Sequence, residues 1–347
     1  MEHVIYRWDL DKTYLKTEFD TFKDIIKIAF EQAEEKQSVP GAPSLLKELQ
    51  KNENNQIYFI SGSPKQMRKV LEKKLTIDGI RWEQLVLKPN LQNLLLGRFH
   101  AMREQIGFKL PMLLEDRVKG RKELKEVLFG DDAESDAYIY SLYADTIAGE
   151  VKEETIQKVT ELVHAPHANI KKISVLLDHI HHTDSVEKIF IYLEKKSPPK
   201  RFEVYGSRLV SIYNYFQAAL VLYTEGLMVL ASIIRLILDL IFEYKYSPEI
   251  LANSLQDLMR RGILNMEQSA RIVEGIKHNL NVKVIPLPDG FYERLVGLFD
   301  TLREAGEESL EKQEPEALDY VKLYNKEHEK FIRQKRSMID RILWFDK

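Results

Sequence analysis

The stretch Val4-Ile5-Tyr6-Arg7-Trp8-Asp9-Leu10-Asp11-Lys12-Thr13 decides the fold. Residues 4–8 are mostly β-branched or aromatic, which predicts a buried strand. Two aspartates one residue apart follow, at the point where an open α/β sheet binds its ligands. In the turn after the strand, one carboxylate can attack a substrate and bind a metal while the other transfers protons. A solvated turn that merely ends the strand is the alternative interpretation.

A second polar stretch, Ser61-Gly62-Ser63-Pro64, follows a predicted strand over residues 56–60. Glycine and small hydroxyl residues allow the backbone to approach an anion. A helix over residues 65–74 would direct its amino-terminal amides to the same place. An ordinary helix cap, formed by Ser63 followed by Pro64, is the alternative.

A third polar stretch is acidic and follows a predicted strand over residues 126–129. It holds four acids within six residues: Asp131, Asp132, Glu134 and Asp136. Such carboxylates repel one another unless a cation neutralises them. Oxygen ligands without a nearby histidine or cysteine favour Mg²⁺. A solvated acidic loop remains the alternative.

Strands alternate with helices, which predicts an α/β fold with a mainly parallel sheet and right-handed crossovers. The predicted strands cover residues 4–8, 56–60, 82–87, 126–129 and 186–193. A parallel sheet gathers the carboxyl ends of its strands at one edge. The residues expected at that edge are Asp9, Asp11, Thr13, Ser61, Gly62, Ser63, Lys109, Asp131, Asp132 and Asp136. Lys109 by itself could be either a surface lysine or a counter-charge for phosphate.

The length of 347 residues predicts about two domains. The segment 197–200, Ser-Pro-Pro-Lys, marks the boundary, and the pattern beyond it is helical, with a long apolar helix over residues 207–244. We therefore expect an α/β domain over residues 1–198 and an all-helical domain of unknown role over residues 199–347. The net charge of −3 does not suggest a nucleic-acid partner.

The chain has no cysteine, which excludes disulfides and thiolate metal sites and is compatible with a reducing compartment. With no apolar signal-peptide region at the start, we expect a cytoplasmic protein. The apolar stretch 216–242 contains Glu225, Arg235 and Asp239 and predicts a buried helix rather than a membrane span. The histidines between His164 and His182 follow no standard zinc spacing and are interpreted as surface or capping residues.

The combination of stretches resembles the haloacid dehalogenase (HAD) superfamily. The superfamily motifs are an apolar strand with Asp-x-Asp-x-Thr, a strand ending in Ser or Thr, a lysine at a helix start, and Gly-Asp followed by a further acid. They correspond to residues 9–13, Ser61, Lys109, and Gly130-Asp131 with Asp136. Within the superfamily the chain is similar to the actin-patch-type phosphatidate phosphatase catalytic domain. That likeness covers about residues 1–195 and includes Val39-Pro40-Gly41, Phe59 to Pro64 and Tyr138-Ile139-Tyr140.

The resemblance implies a HAD-like Rossmannoid sheet with helices on both faces and a phosphatase that acts through an aspartyl phosphate. Asp9 would be the nucleophile, and Asp11 the general acid and base. Mg²⁺ would be held by Asp9, the Asp11 carbonyl and Asp131, with Asp136 or Asp132 in support. The phosphoryl oxygens would be held by Ser61, Gly62 and Lys109, and Thr13 would orient the loop.

The sequence departs from the family at Lys12, where a third acid is usual, and at Asp132, where serine is usual. Lys88 or Lys119 could substitute for Lys109. The expected substrate is a phosphorylated small molecule or a lipid headgroup, and an apolar helical domain could touch a membrane surface. The alternative function is a non-catalytic scaffold in which a HAD-like domain supports the helical half.

Overall fold

A six-stranded sheet forms the centre of the protein in a computed structural model, which describes residues 3–16, 36–88, 98–120, 124–280, 287–305, 317–327 and 329. The strands are β1 (Val4–Trp8), β2 (Gln56–Pro64), β3 (Gln84–Lys88), β4 (Lys125–Asp131), β5 (Val186–Tyr192) and β6 (Leu209–Ile212). Their spatial order is β3-β2-β1-β4-β5-β6, and every neighbouring pair is parallel. The chain therefore winds outward from β1 in both directions, and the predicted α/β fold is confirmed.

Helices cover both faces of the sheet, because successive strand residues point to opposite sides. In chain order, the α-helices are α1 (Ala42–Leu49), α2 (Arg68–Ile77), α3 (Arg98–Lys119), α4 (Asp136–Ala148), α5 (Glu153–Leu162), α6 (His167–Leu177), α7 (Tyr215–Thr224), α8 (Leu230–Phe242), α9 (Pro248–Arg260), α10 (Met266–Leu280) and α11 (Phe291–Ala305). Helices α3 to α6 share one buried cluster with one face of the sheet. Helices α1, α2 and α7 to α11 share the other cluster with the opposite face.

The segment after residue 198 differs from its prediction. Residues 207–244 were expected to form one long helix, but they form β6, α7 and α8. Gly226, with φ 73°, lies in the left-handed region between the two helices, a conformation that glycine adopts readily. Because β6 joins the sheet, the segment 199–347 is not purely helical. The division into two domains at residue 198 stays a prediction.

Some predicted elements lie outside the described residues. The helical spacing of apolar residues predicts a helix over residues 19–35, and a last, highly charged helix is expected over residues 318–345. The first lies wholly outside the described residues, and of the second only residues 320–327 and 329 are described as helical. Within the described ranges, no helix has the length and apolar character that crossing a membrane requires.

A buried ionic network joins β1 and β4 to α3 and α4. Arg7 donates to Glu126 at 2.6 Å and to Asp116 at 3.0 Å, while Arg117 donates to Glu126 at 3.1 Å. The Tyr143 hydroxyl also contacts the Glu126 carboxylate. Removing one member of such a network would leave a buried charge without its partner, at a cost of about 3–5 kcal/mol. The network thus fixes α3 and α4 against the strands whose carboxyl ends carry the acids.

Candidate active site

A tight loop after β1 presents the first two acids. The amide of Asp9 still donates to the Phe129 carbonyl on β4, at 2.8 Å. The chain then turns, with the Tyr14 amide donating to the Leu10 carbonyl at 3.0 Å. Lys12 has φ 63°, in the left-handed region that non-glycine residues seldom adopt. This turn brings both Asp9 and Asp11 to the carboxyl edge of the sheet, as predicted.

Lys109 lies at the centre of the acids. Its Nζ is 2.9 Å from Asp9 Oδ1, 2.5 Å from Asp136 Oδ1 and 3.3 Å from Glu134 Oε2. Lys109, Asp9 and Asp136 are all fully buried. The sequence placed Lys109 at a helix start, which is wrong, because α3 runs from Arg98 and Lys109 lies well inside it.

The two alternative lysines lie elsewhere in the fold. Lys119 is at the far end of α3, is 70% exposed and pairs with Glu115. Lys88 ends β3, opposite Pro64 of β2. Among the three candidates, Lys109 is the one that the structure pairs with Asp9.

Four carboxylates converge beside Lys109. One oxygen from each of Asp9, Asp131, Glu134 and Asp136 lies within 4.8 Å of the others. Asp131 is positioned by the amides of Ala133 and Glu134, which donate to its Oδ1 at 2.6 and 3.1 Å. Glu134 is one of the four acids in the stretch after β4, but it is not among the site residues predicted from the sequence.

The predicted ligand Asp132 points away from this group. Its Oδ1 accepts from the Lys195 amide at 2.7 Å, and its Oδ2 accepts from the Ser197 amide at 2.9 Å. The Asp132 carboxylate therefore stabilises the loop after β5 through both of its oxygens, and its role is structural. Asp132 does not belong to the converging carboxylates.

Asp11 is held by two serines from the end of β2. Its Oδ2 accepts from Ser61 Oγ at 2.7 Å and from Ser63 Oγ at 2.8 Å. Ser61 Oγ in turn accepts from the Ser63 amide at 2.9 Å. The sequence predicts Ser63 at this edge, with a helix cap as the alternative, but does not assign it to phosphate binding as it does Ser61. In the structure β2 continues to Pro64, so both hydroxyls reach the same carboxylate.

Two glycines, Gly62 and Gly130, allow neighbouring groups to approach the backbone closely at the site. A Cβ on Gly62 would lie 2.5 Å from Gln105 Nε2, so the Gln105 amide rests against the Gly62 backbone. A Cβ on Gly130 would lie 2.5 Å from both Cβ and Oδ2 of Asp136. Gln105 is buried on α3, one turn before Lys109. No sequence signal distinguished it.

Thr13 lies between the two acidic groups. Its Oγ1 donates to Asp131 Oδ2 at 3.5 Å, and its side chain is fully buried. It thus links the loop after β1 to the acids after β4, and the role of Thr13 in orienting that loop stays a prediction.

Burial dominates the electrostatics. It raises the pKa of Asp9 and Asp131 well above the usual range, against the opposing charge of Lys109. Burial also raises the pKa of Asp136 to about 6. Burial alone would lower the pKa of Lys109, but the carboxylates of Asp136 and Asp9 raise it well above its ordinary value. Lys109 is therefore a permanent cation that offsets only part of the surrounding negative charge.

Two carboxylate oxygens at this edge have no partner among the described residues. They are Asp9 Oδ2 and Asp11 Oδ1, and both atoms are buried. A buried charged oxygen without a partner is costly, so each is suited to a cation, a proton or a substrate atom. Among the described residues, Asp9, Asp131, Glu134 and Asp136 form the one group of three or more histidine, aspartate or glutamate side chains that could hold a metal. The histidines between His164 and His182 form none.

The fold and this edge define a parallel α/β domain with a buried acidic site at the carboxyl ends of its strands. Residues 8–158, less than half of the chain, match the family model described as "Phosphatidate phosphatase APP1, catalytic domain". The resemblance stated from the sequence is confirmed over those residues, and the match supports a phosphatase. No curated protein and no solved structure matches the chain.

Proposed function

We propose that this protein is a Mg²⁺-dependent phosphatase that hydrolyses a phosphomonoester through an aspartyl phosphate on Asp9. One observation carries the proposal: Lys109 binds Asp9 and Asp136 together beside Asp131 and Glu134. A lysine in this place fixes the orientation of the nucleophile and supplies positive charge to phosphoryl oxygens. The family match over residues 8–158 supports the same reaction class.

Asp9 would attack phosphorus, forming an oxygen–phosphorus bond while the bond from phosphorus to the leaving alcohol breaks. Lys109 holds Oδ1 of Asp9, which orients the carboxylate for this attack. Hydrolysis of the aspartyl phosphate by water then returns Asp9 and releases phosphate. The covalent intermediate divides one difficult displacement at phosphorus into two steps, each with a lower barrier.

Asp11 would protonate the leaving alcohol and then accept a proton from the attacking water. Burial raises the pKa of Asp11, which favours the protonated form that the first step needs. Ser61 and Ser63 both donate to Oδ2, so the proton is expected on Oδ1, the oxygen without a partner. Asp11 loses its proton in the first step and regains one in the second, so it ends the cycle in the protonated form in which it began.

The donor set fits Mg²⁺. All the candidate ligands are carboxylate oxygens, which Mg²⁺ prefers, and Asp9 Oδ2 is a buried oxygen that lacks a partner among the described residues. Asp9, Asp131, Glu134 and Asp136 would hold the ion, and the Asp11 carbonyl stays a predicted ligand. When bound, Mg²⁺ neutralises the repulsion between a carboxylate and a phosphate dianion. The Gly62 amide would hold a phosphoryl oxygen close to Ser61.

The substrate class proposed is a phosphatidate-like phosphomonoester, because the matched family model is named for phosphatidate phosphatase. We further propose a cytoplasmic location and contact with lipid at a membrane surface. The net charge of −3 does not favour a nucleic-acid substrate.

Phosphate release from nitrophenyl phosphate and from phosphatidate in mixed micelles tests the proposal. We expect activity that requires Mg²⁺ and is lost in Asp9→Asn. Asp289→Asn, which changes an exposed aspartate outside the site, is the matched control and should keep full activity. Activity that survives both Asp9→Asn and excess chelator would refute the assignment of the nucleophile.

The second candidate is a non-catalytic scaffold, favoured by the large helical segment after residue 212. It predicts that the purified protein binds neither Mg²⁺ nor beryllofluoride, a mimic of the phosphoryl group. Calorimetric titration with each of these would separate the two functions, since the phosphatase should bind both.

A further inference from the structure

Tyr215 connects the helical segment to the catalytic loop. It is the first residue of α7, it is fully buried, and it lies outside the residues that match the family model. Its hydroxyl donates to the Thr13 carbonyl at 2.5 Å. Thr13 belongs to the loop that carries Asp9 and Asp11, so a residue far along the chain touches the backbone of the site.

Aromatic stacking fixes the ring of Tyr215. The ring stacks on Trp8 at a centroid distance of 5.4 Å and on Tyr192 at 5.6 Å. Trp8 also stacks on Phe129, at a centroid distance of 4.0 Å. Trp8 and Tyr192 are the last residues of β1 and β5, and Phe129 lies two residues before the end of β4. The ring is therefore held close to the carboxyl ends of these strands. A ring packed in this way has little freedom, so its hydroxyl is directed at one position.

The start of α7 is itself anchored. Asn214 caps the helix by accepting from the Gln217 amide at 3.2 Å, and its own Nδ2 donates to Ser254 Oγ at 2.8 Å. Gln217 also donates to the Ser254 carbonyl at 3.0 Å. Helix α9, which contains Ser254, thus holds the end of α7 from which Tyr215 projects.

We propose that Tyr215 is a positioning residue that sets the place of Asp11 relative to Asp9 through the Thr13 carbonyl. The inference rests on the proposed phosphatase function, since it assigns Asp11 the proton transfer. The loop is already strained at Lys12, and buried contacts are needed to maintain a conformation of that kind. Without the hydroxyl, a buried carbonyl loses a donor, and the loop can relax away from the position in which Asp11 meets the leaving oxygen.

Tyr215→Phe tests the proposal, since it removes the hydroxyl and keeps the ring. The matched control is Tyr138→Phe, which removes a buried hydroxyl that donates to the Tyr320 carbonyl at 3.0 Å on the α4 side. Asp11→Asn serves as the reference for loss of the proton donor. Each variant is compared on glycerol phosphate, whose alkoxide leaves poorly, and on nitrophenyl phosphate, whose leaving group needs little protonation.

For Tyr215→Phe we expect kcat/KM to fall about tenfold on glycerol phosphate and to change less than about twofold on nitrophenyl phosphate. For Asp11→Asn, kcat/KM should likewise fall more on glycerol phosphate than on nitrophenyl phosphate. For Tyr138→Phe, kcat/KM should not fall on either substrate. A merely structural role would lower kcat/KM by the same factor on both substrates, in proportion to the loss of folded protein. Equal losses on the two esters, or no loss on either, would overturn the proposal.

Hydrogen exchange provides a measurement that needs no turnover. The amides of Tyr14 and Leu15 both donate to the Leu10 carbonyl, at 3.0 and 2.8 Å, and should be protected in the native loop. In Tyr215→Phe we expect their exchange to quicken about tenfold, whereas Tyr138→Phe leaves it unchanged. Unchanged exchange would overturn the positioning role. If the wild type hydrolyses neither ester but exchange is faster in Tyr215→Phe, the phosphatase function is refuted. The positioning of the loop by the Tyr215 hydroxyl is then supported independently of that function.

Discussion

Lys109→Met would test the charge balance of the site. Methionine keeps an unbranched apolar side chain but removes the cation that lies 2.9 Å from Asp9 and 2.5 Å from Asp136. Both carboxylates are fully buried, so removing their partner leaves uncompensated charge in the interior. Breaking a buried ion pair in this way costs about 3–5 kcal/mol, and we expect that loss in the free energy of unfolding at neutral pH.

The loss should depend on pH with a defined sign. Unfolded aspartates have a pKa of about 3.9, whereas burial raises the pKa of folded Asp136 to about 6 even with Lys109 present. Without Lys109 the folded pKa rises further, so from about pH 4 to above pH 6 the folded variant binds more protons than the unfolded chain. Its stability then falls as pH rises, by about 1.4 kcal/mol per pH unit for each such carboxyl.

Urea unfolding in the presence of a chelator, followed by circular dichroism, would measure both effects. At about pH 5 the deficit of Lys109→Met relative to wild type should be smaller than at about pH 8, because protonation removes the unpaired charge. The control Lys119→Met changes an exposed lysine of the same helix and should have no measurable effect. An equal deficit at both pH values, or a deficit no larger than that of the control, would refute the electrostatic reasoning.

Three further substitutions probe the acids and their support. Asp131→Asn removes a carboxylate whose pKa burial raises, so without metal it should raise the Tm by about 2–4 °C in calorimetry; a Tm that Mg²⁺ still raises as in wild type would contradict its role as a ligand. Glu134→Gln should weaken Mg²⁺ binding about tenfold in titration calorimetry, and unchanged affinity would remove Glu134 from the metal site. Gly130→Ala places a Cβ 2.5 Å from Asp136 Oδ2 and should cost about 1–3 kcal/mol of stability together with most of the activity. The control Gly297→Ala, exposed within α11, adds a Cβ that would meet no other part of the described chain within 4 Å and should raise stability by about 0.5–1 kcal/mol. A Gly130→Ala variant as stable and active as the control would show that Asp136 can move freely.

Most of the sheet could be predicted from the sequence, because strands buried on both faces are short apolar runs bounded by polar residues. The five predicted strands agree with β1 to β5 to within a few residues at their ends. The largest difference is at β2, which continues to Pro64, four residues beyond its predicted end at residue 60. Strand β6 was missed because its four residues lie two residues before the apolar helix α7. Their hydrophobic patterns merge, and periodicity cannot separate a short buried strand from a helix.

The site could be predicted in part. The acids at strand ends follow from the topology, since parallel strands gather their carboxyl ends. Side-chain direction within a loop depends on the turn, so the sequence could not show that Asp132 would face the β5 loop while Glu134 faces Lys109. The contact from Tyr215 to Thr13 joins residues 202 positions apart and has no local sequence signal.

The stacked aromatic residues Trp8, Phe129 and Phe190 lie on the face of the sheet that shares its core with α7 to α11. During synthesis, the ribosome completes β1 to β5 well before it has made the helices that cover them. At typical translation rates the wait is on the order of ten seconds. Over that interval a nascent chain would carry an uncovered aromatic surface of the kind that chaperones recognise. The acids would then reach their working arrangement only late in biogenesis, so premature termination in the second half should yield an inactive and aggregation-prone product rather than a smaller enzyme.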